Sequence, residues 1–549
     1  MSRGLIQQGR LIVQGQSRAA RLFLAAFCAL FFAISFSYII RAGRLTLVPI
    51  YDDVSYLNDA ISRLTYLDAG GILGFLKSFT FMPAHSPVLA VIGTLGFLFG
   101  AEQYAAPYAF NGVWLVAMAL LAWRTLDGLP DWSRVGIIVA MFAAPMFGYL
   151  ISEFRPDIGW GLLVGFSLVL TASADLTGMR YPAAIRLGLL IGLAVLTKPS
   201  GMPAAIVIIG SGIVLQSAAC FLLDRRAGLA PVLRRSASLI ATALAPIILY
   251  LCFSWEHVWE YIYAALVTDK DVWTTRASLW GHISFYLNHF NGTILLGWFW
   301  YACLPIWAAC IVVLAAGRRY ALLVRFCLLL LAVLIAYAVP TASVMKTFHL
   351  GSIFYGPVIA ASVYALGLIA SSLKLSPKIV LAVGAAIFVV AWTPKTGNLG
   401  RDNPTMVIVN KANEAIFPTI IEKMQSRAPG QPPVTLFFSV PGPAYDATID
   451  FWARQQRQFG RYLTGYTWTD WAQYLDAIKQ SDIVVAADQG IIGQPDNFSF
   501  PSVGYQGRII DTLRNDPAFE SKRAFVDPQG RAVWLFIRKA SFPQVPPAS

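Results

Sequence analysis

The feature that most constrains this chain is a series of long apolar runs spread over its first 395 residues. Runs such as 239–253 and 328–338 contain no charged residue, and apolar runs of this kind form the cores of membrane spans. Only 13% of the chain is charged, which is about half the share usual in soluble proteins. The sequence therefore predicts a polytopic α-helical membrane protein.

Eleven spans account for these runs. The first run follows four N-terminal arginines and lacks a small-residue cleavage site, so we interpret it as an uncleaved span rather than a signal peptide. The run 87–100 is too short to cross a bilayer and is left out. The predicted spans are 22–40, 105–123, 135–151, 158–174, 187–201, 203–222, 237–255, 293–316, 321–340, 353–373 and 379–394.

Basic residues orient these spans, because cytoplasmic loops are enriched in Lys and Arg. With the N-terminus in the cytoplasm, 17 of the 27 Lys and Arg residues of 1–400 lie on the cytoplasmic side, together with only four acids. These basic residues are Arg3, Arg10, Arg18, Arg21, Arg124, Arg134, Arg180, Arg186, Arg225, Arg226, Arg234, Arg235, Arg318, Arg319, Arg325, Lys374 and Lys378. We expect a multi-pass membrane protein with a cytoplasmic N-terminus and an external C-terminus.

The net charge of +13 does not indicate a nucleic-acid partner. Residues 1–400 hold 27 basic and 15 acidic residues, an excess of 12, whereas residues 401–549 hold 15 and 14, an excess of 1. The positive charge therefore belongs to the membrane part, where loop charge sets the topology.

The first external loop, 41–104, is predicted to hold two helices at the membrane surface. Val54, Leu57, Ile61 and Leu64 follow helical spacing on one face of the segment 54–67, which is typical of an amphipathic interfacial helix. The short apolar run 87–100 is the second helix.

The chain divides into a transmembrane domain, 1–395, and a polar external domain, 396–549. Strands are predicted at 434–440 and 482–487, helices at 444–456, 470–480 and 506–515, and a hairpin at 523–526 and 532–538. This alternation is typical of a small α/β domain. It contains no glycine-rich phosphate loop and no nucleophile elbow, so we expect it to cover the site or to contact an acceptor.

Two adjacent carboxylates, Asp52 and Asp53, follow the first span. An acid before an amphipathic helix is a good N-cap, and a second acid in the first turn favours the helix dipole. Neighbouring side chains on a helix point about 100° apart. One carboxylate could therefore start the helix while the other faces a pocket as a catalytic base.

Other polar residues near the predicted external surface also have two interpretations. Ser86 and Pro87 form a standard helix start, which leaves His85 either a plain interfacial histidine or a phosphate ligand. Arg155 and Asp157 could simply pair or snorkel, or Arg155 could meet an anionic headgroup while Asp157 orients a hydroxyl or a cation.

The lysines in this region are equally ambiguous. Lys198 ends an apolar span and could snorkel to the surface or hold a phosphate as a point charge. Lys346 has the same two interpretations, and His349 lies close to it in the sequence. Lys270 and Arg276, in a long aromatic-rich external loop, are candidates for further substrate contacts.

Together these residues place carboxylates and cations on one side of the membrane. That combination suits a reaction on a lipid-anchored phosphate, in which a base activates a hydroxyl and cations stabilise the phosphate leaving group. No cofactor is required, although a two-acid site such as Asp52 with Asp157 could bind a divalent cation.

The order of these motifs resembles the GT-C superfamily of membrane glycosyltransferases. It is most similar to the family 39-like group, which includes protein O-mannosyltransferases and the bacterial lipid A aminoarabinose transferase. The matching segments are Tyr51-Asp52-Asp53-Val54-Ser55-Tyr56, His85-Ser86-Pro87, Phe154-Arg155-Pro156-Asp157, Leu196-Thr197-Lys198-Pro199-Ser200-Gly201 and Lys346-Thr347-Phe348.

The resemblance covers roughly residues 20–395 and implies a GT-C fold with an external site. It implies that Asp52 is the base, and that a polyprenyl-phosphate sugar donates to a hydroxyl of a glycan, lipid or protein with inversion. It leaves Asp53 or Asp157 to position the acceptor, and Arg155, Lys198, Lys346, His85 and His349 as phosphate ligands. Two residues depart from the family pattern: Ser86 stands where the family has a lysine, and Phe348 replaces a tyrosine.

Two other functions remain open on the sequence alone. The first is a transporter or flippase of a lipid-linked sugar, although such proteins tend to show internal repeats and ionisable residues at mid-membrane, neither of which the sequence shows. The second is a non-catalytic membrane scaffold whose C-terminal domain binds a partner.

Overall fold

The computed structural model describes residues 2–45, 47, 52–100, 103–223, 229–394, 403–428, 430–439, 442, 444–493 and 500–540. Tyr51 of the acidic motif, Arg225 and Arg226 of a predicted cytoplasmic loop, and the predicted domain boundary at 395/396 lie outside these residues.

The first part of the chain is built from helices joined by turns and short irregular segments, and its described residues contain no strand. Its helices are α1 (Ser2–Arg41), α2 (Asp52–Phe81), α3 (Pro87–Phe99), α4 (Ala105–Phe110), α5 (Gly112–Thr125), α6 (Asp131–Met141), α7 (Pro145–Ser152), α8 (Pro156–Ala172), α9 (Tyr181–Thr197), α10 (Met202–Leu223), α11 (Leu229–Tyr263), α12 (Lys270–Trp273), α13 (Leu279–Ser284), α14 (His289–Leu296), α15 (Phe299–Ala316), α16 (Tyr320–Ala342), α17 (Ser352–Ser372) and α18 (Pro377–Ala391).

Each of the eleven predicted spans corresponds to an apolar helix or to two consecutive helices. Within the described residues, seven helices are long and apolar enough to cross a membrane, and α6 with α7, bent by 71°, would form an eighth as one broken span. Helices α8, α9 and α18 have 17, 17 and 15 residues, which at 1.5 Å per residue is about 22–26 Å. The prediction of a polytopic helical membrane protein is confirmed.

Helices α8 and α17 pack closely in the middle of the bundle. A Cβ atom on Gly356 of α17 would lie 2.0 Å from the carbonyl oxygen of Gly161 in α8, and one on Gly165 would lie 2.4 Å from the backbone of Gly356. Only glycine permits this approach, and small residues are the usual means by which membrane helices pack closely. The contact fixes the start of α17 against the start of α8, where polar residues collect.

The first loop folds as predicted into two helices, α2 and α3. Ser86 caps α3, because its Oγ accepts a hydrogen bond from the N–H of Leu89, and Pro87 occupies the first helical position. Helix α3 has 13 residues, about 20 Å, which is too short to span a bilayer.

The apolar face of α2 that the spacing predicts does not face a membrane surface. Val54, Leu57, Ile61 and Leu64 are all buried within the protein. Helix α3 covers part of this helix, and Thr94 Oγ1 donates to the carbonyl oxygen of Ala60 at 3.1 Å. Amphipathic spacing marks a buried face, but it does not say whether lipid or protein covers that face.

The C-terminal part is an α/β domain with a five-stranded sheet. Its strand order is β2-β1-β3-β5-β4, in which β1 pairs in parallel with β2 and β3, while β5 pairs antiparallel with β3 and β4. The elements are α19 (Pro404–Gln425), β1 (Val434–Phe438), α20 (Asp446–Gln455), β2 (Gly460–Thr464), α21 (Trp471–Gln480), β3 (Ile483–Ala487), α22 (Gln506–Arg514), β4 (Phe519–Val526) and β5 (Ala532–Arg538).

Both faces of this sheet carry helices. Ile420 of α19 and Ile449 of α20 join the core on one face, and Ile478 of α21 and Ile509 of α22 join the core on the other. All predicted elements of the domain are present. The edge strand β2 and the helix α19 are additional; β2 escapes the pattern because it is polar and only partly buried.

Helix α20 attaches this domain to α2. The side chain of Asn58 donates to the carbonyl oxygen of Ala447 at 2.8 Å, and Arg454 donates to Ser62 Oγ at 2.8 Å. Phe451 is fully buried against the core of the membrane part. The α/β domain therefore rests on the helix whose first turn carries Asp52 and Asp53.

Candidate active site

Asp52 and Asp53 are the first two residues of α2. Carboxylates in the first turn of a helix stabilise its positive end. The two side chains point in different directions, as neighbouring residues on a helix do. Asp52 is 58% exposed, whereas Asp53 is 2% exposed.

The Asp53 carboxylate joins three separate segments of the chain. Its Oδ2 atom accepts hydrogen bonds from Arg44 Nη2 at 2.7 Å, from the Tyr108 hydroxyl at 2.6 Å and from the backbone N–H of Phe154 at 2.9 Å. Burial raises the pKa of Asp53, while the Arg44 guanidinium and the Phe154 N–H act to lower it. Asp53 thus anchors the segment that follows α7.

That segment carries the charged residues that face Asp52. Arg155 precedes Pro156, and its backbone is extended, with φ −135° and ψ 145°, as a residue before proline prefers. Pro156 begins α8, so the chain turns sharply here. The Arg155 side chain reaches Asp52 Oδ2 at 2.5 Å, and its Nε lies 3.5 Å from Asp157 Oδ2.

Lys198 completes a chain of alternating charges. It follows the end of α9, and its Nζ lies 2.5 Å from Asp157 Oδ1 and 5.5 Å from the centre of the Trp160 ring. Asp157 is buried, so its carboxylate is held between two cations away from water. The ionic chain runs from the exposed Asp52 through Arg155 and Asp157 to the partly buried Lys198.

His349 joins this cluster through a residue that the sequence analysis did not single out. Its Nε2 lies 2.8 Å from Glu153 Oε2, and Glu153 is buried. Burial alone would raise the pKa of Glu153, but His349, Arg155 and Arg44 outweigh it and hold the pKa below its usual value. The sequence signal was a lone acid at the end of an apolar run, two residues before Arg155.

His85 lies beside the cluster between aromatic rings. The centre of its ring is 4.3 Å from that of Tyr261 and 5.7 Å from that of Tyr56. The next residue, Ser86, donates to the carbonyl oxygen of Thr197 at 2.6 Å, which brings this segment to Lys198. Burial, and then the charge of Lys198, lower the pKa of His85 to about 4, so the imidazole is neutral at pH 7.

Because His85 is neutral at pH 7, we expect the His85→Gln variant to keep most of the wild-type activity at this pH. Glutamine preserves a polar side chain of similar length, and no charge is lost because His85 is neutral at this pH. The substitution does remove the ring contacts with Tyr261 and Tyr56, so the Tm of the variant is measured as well. We expect kcat and KM for the reaction proposed below to stay within a few-fold of wild type between pH 6 and pH 8. A tenfold or larger loss at pH 7 would instead assign His85 a direct part in phosphate binding.

The remaining candidates lie apart from the ionic chain. Lys346 donates from Nζ to the carbonyl oxygens of Pro340 at 2.9 Å and Thr341 at 2.6 Å, where it caps the end of α16. Burial lowers its pKa to about 8. Lys270 and Arg276 have exposed side chains, and within the described residues neither forms an ion pair with the cluster.

The cluster as a whole is close to electrically neutral. It contains four acids and three Arg or Lys side chains, and His349 lies against one of the acids, Glu153. The charged members are Asp52, Asp53, Glu153, Asp157, Arg44, Arg155 and Lys198. Among the described residues, no three His, Cys, Asp or Glu side chains come together as a metal site.

Comparison with known proteins finds the same fold. The crystal structure of ArnT from Cupriavidus metallidurans in the apo state superposes with a TM-score of 0.55 at 13% identity, covering 95% of this chain and 99% of that one. The structure of the same protein bound to undecaprenyl phosphate gives 0.53 at 14% identity, covering 94% and 99%. No protein-family model matches the sequence, and no curated protein matches it significantly.

The predicted GT-C fold, with its C-terminal α/β domain, is therefore confirmed. The resemblance in sequence motifs and the similarity in three dimensions agree, although fewer than one residue in six is identical. At this identity the similarity establishes the fold, and the chemistry has to be argued from the side chains.

Proposed function

We propose that this protein transfers a sugar from a polyprenyl-phosphate donor to a hydroxyl group of a cell-envelope glycan, lipid or protein. The observation that carries the proposal is the ionic chain, in which an exposed carboxylate, Asp52, pairs with Arg155 and is linked through Asp157 to a second cation, Lys198. The fold supports it, since an ArnT structure of this fold is bound to undecaprenyl phosphate.

In the proposed reaction Asp52 is the general base. It is the most exposed acid of the cluster, with 58% of its side chain accessible, so its carboxylate is open to an acceptor. As that hydroxyl oxygen attacks the anomeric carbon, its proton passes to Asp52, and the bond from the anomeric carbon to the phosphate oxygen breaks. Attack from the face opposite the phosphate inverts the anomeric configuration. The polyprenyl phosphate leaves with the electron pair of the broken bond.

Arg155 and Lys198 stabilise the leaving phosphate in this proposal. The donor is a phosphodiester with one negative charge, whereas the product is a monoester that gains a second charge near neutral pH. Cations beside it therefore bind the transition state more strongly than the donor, which is the condition for catalysis. Asp157, first expected to position the acceptor, here holds both cations in place, because both of its oxygens face them.

The proposal gives Asp53 a positioning role instead of a second catalytic one. All three of its hydrogen-bonding partners are protein groups, and its carboxylate is buried. His349, paired with Glu153, stays a phosphate candidate. Lys346, Lys270 and Arg276 stay candidates for contacts that substrate binding would have to create.

The proposed side of the membrane follows from charge. The positive-inside distribution supports a cytoplasmic N-terminus, which puts the start of α2 and the α/β domain outside the bacterial inner membrane. Labelling of single cysteines in intact cells would test this placement.

Purified protein in lipid nanodiscs tests the function directly. It would be incubated with polyprenyl-phosphate sugars of several sugar classes and an envelope glycolipid extract, and free polyprenyl phosphate would be measured by mass spectrometry. We expect release that requires both the protein and an acceptor. Movement of the intact donor across proteoliposomes without cleavage would favour a transporter, and neither activity would favour a scaffold.

A further inference from the structure

Helix α2 is two helical limbs joined at a sharp break. Gly71 has φ 61° and ψ −156°, a conformation that only glycine adopts readily. The first limb, 52–70, carries the acidic pair, and the second limb, 72–81, returns along it. A Cβ atom on Gly74 would lie 2.3 Å from the carbonyl oxygen of Tyr66, so the two limbs pack closely next to the break.

A buried arginine holds the two limbs together. Arg63 of the first limb is fully buried and donates to Ser78 Oγ at 2.9 Å and to the carbonyl oxygen of Met82 at 2.6 Å. It also pairs with Asp59 at 2.9 Å, and its guanidinium lies 3.9 Å from the centre of the Phe79 ring. These contacts hold the inner face of the second limb against the first limb, so contacts within the protein fix the position of the second limb.

The outer face of the second limb is apolar and uncovered. Ile72 and Leu73 are 72% and 70% exposed, and Leu76 and Phe81 are also more than half exposed. Within 64–84 the sequence has only two charged residues, Asp68 and Lys77. A cluster of exposed large apolar side chains such as this indicates a covering partner.

This apolar face is continuous with the exposed surface of α11, a helix that contains a predicted membrane span. The hydroxyl of Tyr250 in α11 donates to the carbonyl oxygen of Ala84, just after the second limb, at 2.6 Å. Tyr250 lies within the predicted span 237–255, and its neighbours Leu249 and Phe253 are largely exposed. The α/β domain contacts a different face of α2, through Asn58 and Ser62, and leaves the second limb uncovered.

We propose that the second limb of α2 inserts its outer face, formed by Ile72, Leu73 and Leu76, into the adjacent lipid leaflet. The partner is bilayer hydrocarbon, because the exposed face is continuous with the lipid-facing surface of α11. The limb ends four residues before His85, so its insertion holds the ionic chain at the depth of lipid headgroups. This inference stands whether or not the protein is a glycosyltransferase.

Fluorescence quenching at single cysteines tests the insertion. All six native cysteines would be replaced, and a dye would be attached through Leu73→Cys, Leu76→Cys or, as a control, Val526→Cys, an exposed apolar residue of β4. The full chain would be reconstituted in phosphatidylethanolamine and phosphatidylglycerol vesicles without polyprenyl lipid. We expect nitroxide-labelled lipid to quench the first two positions several-fold more than the control, and aqueous iodide to quench only the control.

Two outcomes would overturn the proposal. Equal iodide quenching at positions 73, 76 and 526 would place the limb in water. Protection from iodide that arises only after undecaprenyl phosphate is added would make the face a groove for the chain of that lipid instead. Both readouts are independent of sugar transfer, so they remain distinct from a failure of the proposed function.

Discussion

Replacing Asp52 by asparagine is expected to reduce the turnover number for sugar transfer by about 10²–10⁴-fold, the usual contribution of a general base. Asparagine keeps the size of the side chain and its ability to accept a hydrogen bond from Arg155, but it cannot take the proton of the acceptor hydroxyl. Since Asp52 is more than half exposed, the loss should fall on kcat while thermal stability changes little. The measurement is steady-state transfer with purified variants of equal Tm.

The same helix supplies a matched control for this experiment. Asp68, also in α2, is exposed and lies 16 residues after Asp52. Asp68→Asn removes one negative charge from the same helix and should leave kcat near that of wild type. If Asp52→Asn transferred sugar as fast as the control, Asp52 would not be the base, and the remaining acids of the cluster would have to be tested in turn.

Replacing Asp53 by asparagine is expected to destabilise the protein by about 3–5 kcal/mol, the usual cost of removing one partner of a buried ion pair. Arg44 would be left charged in a site where it is only 2% exposed. The hydrogen bond to the N–H of Phe154 would weaken too, so Arg155 would lose its alignment with Asp52. We expect a clear fall in Tm, together with a lower kcat at temperatures at which the variant is still folded.

Two further variants separate the effect of breaking the Arg44–Asp53 ion pair from the effect of losing any one carboxylate. Arg44→Met combined with Asp53→Leu removes both charges, and we expect it to recover part of the lost stability but little of the lost activity. Asp127→Asn removes an exposed acid that pairs with Arg124 and Arg134, and it should change Tm only slightly. A wild-type Tm and kcat for Asp53→Asn would contradict the anchoring role.

The spans and the C-terminal elements could be predicted from the sequence because both leave local patterns. A run of about 20 apolar residues predicts a span, since a helix satisfies all the backbone hydrogen bonds of such a segment within the segment itself. The same local reasoning found the start of α3 at Ser86 and Pro87. It did not find the second limb of α2, because the predicted helix covers only 54–67, and the limb 72–81 begins after the break at Gly71.

The residues of the candidate site could likewise be predicted from the sequence only in part. The sequence marked Asp52, Arg155, Asp157 and Lys198 as isolated charges at the ends of apolar runs, where an ionisable group needs a partner. It did not mark Glu153, and without the family resemblance, which implies Asp52 as the base, it did not tell which of Asp52 and Asp53 is buried. Lys346 resembled Lys198 in its sequence setting, yet its ammonium binds the end of α16.

What the sequence alone determined is the membrane architecture and the set of charged residues available for chemistry, since both depend on neighbours along the chain. Which charges meet was decided only by the tertiary structure. Asp52 pairs with Arg155 across 103 positions, Asp53 binds the Phe154 N–H across 101, and Glu153 meets His349 across 196. Such contacts arise because packed helices bring their ends together, and the packing of α8 on α17 through Gly161 and Gly356 cannot be inferred from the spacing of charges.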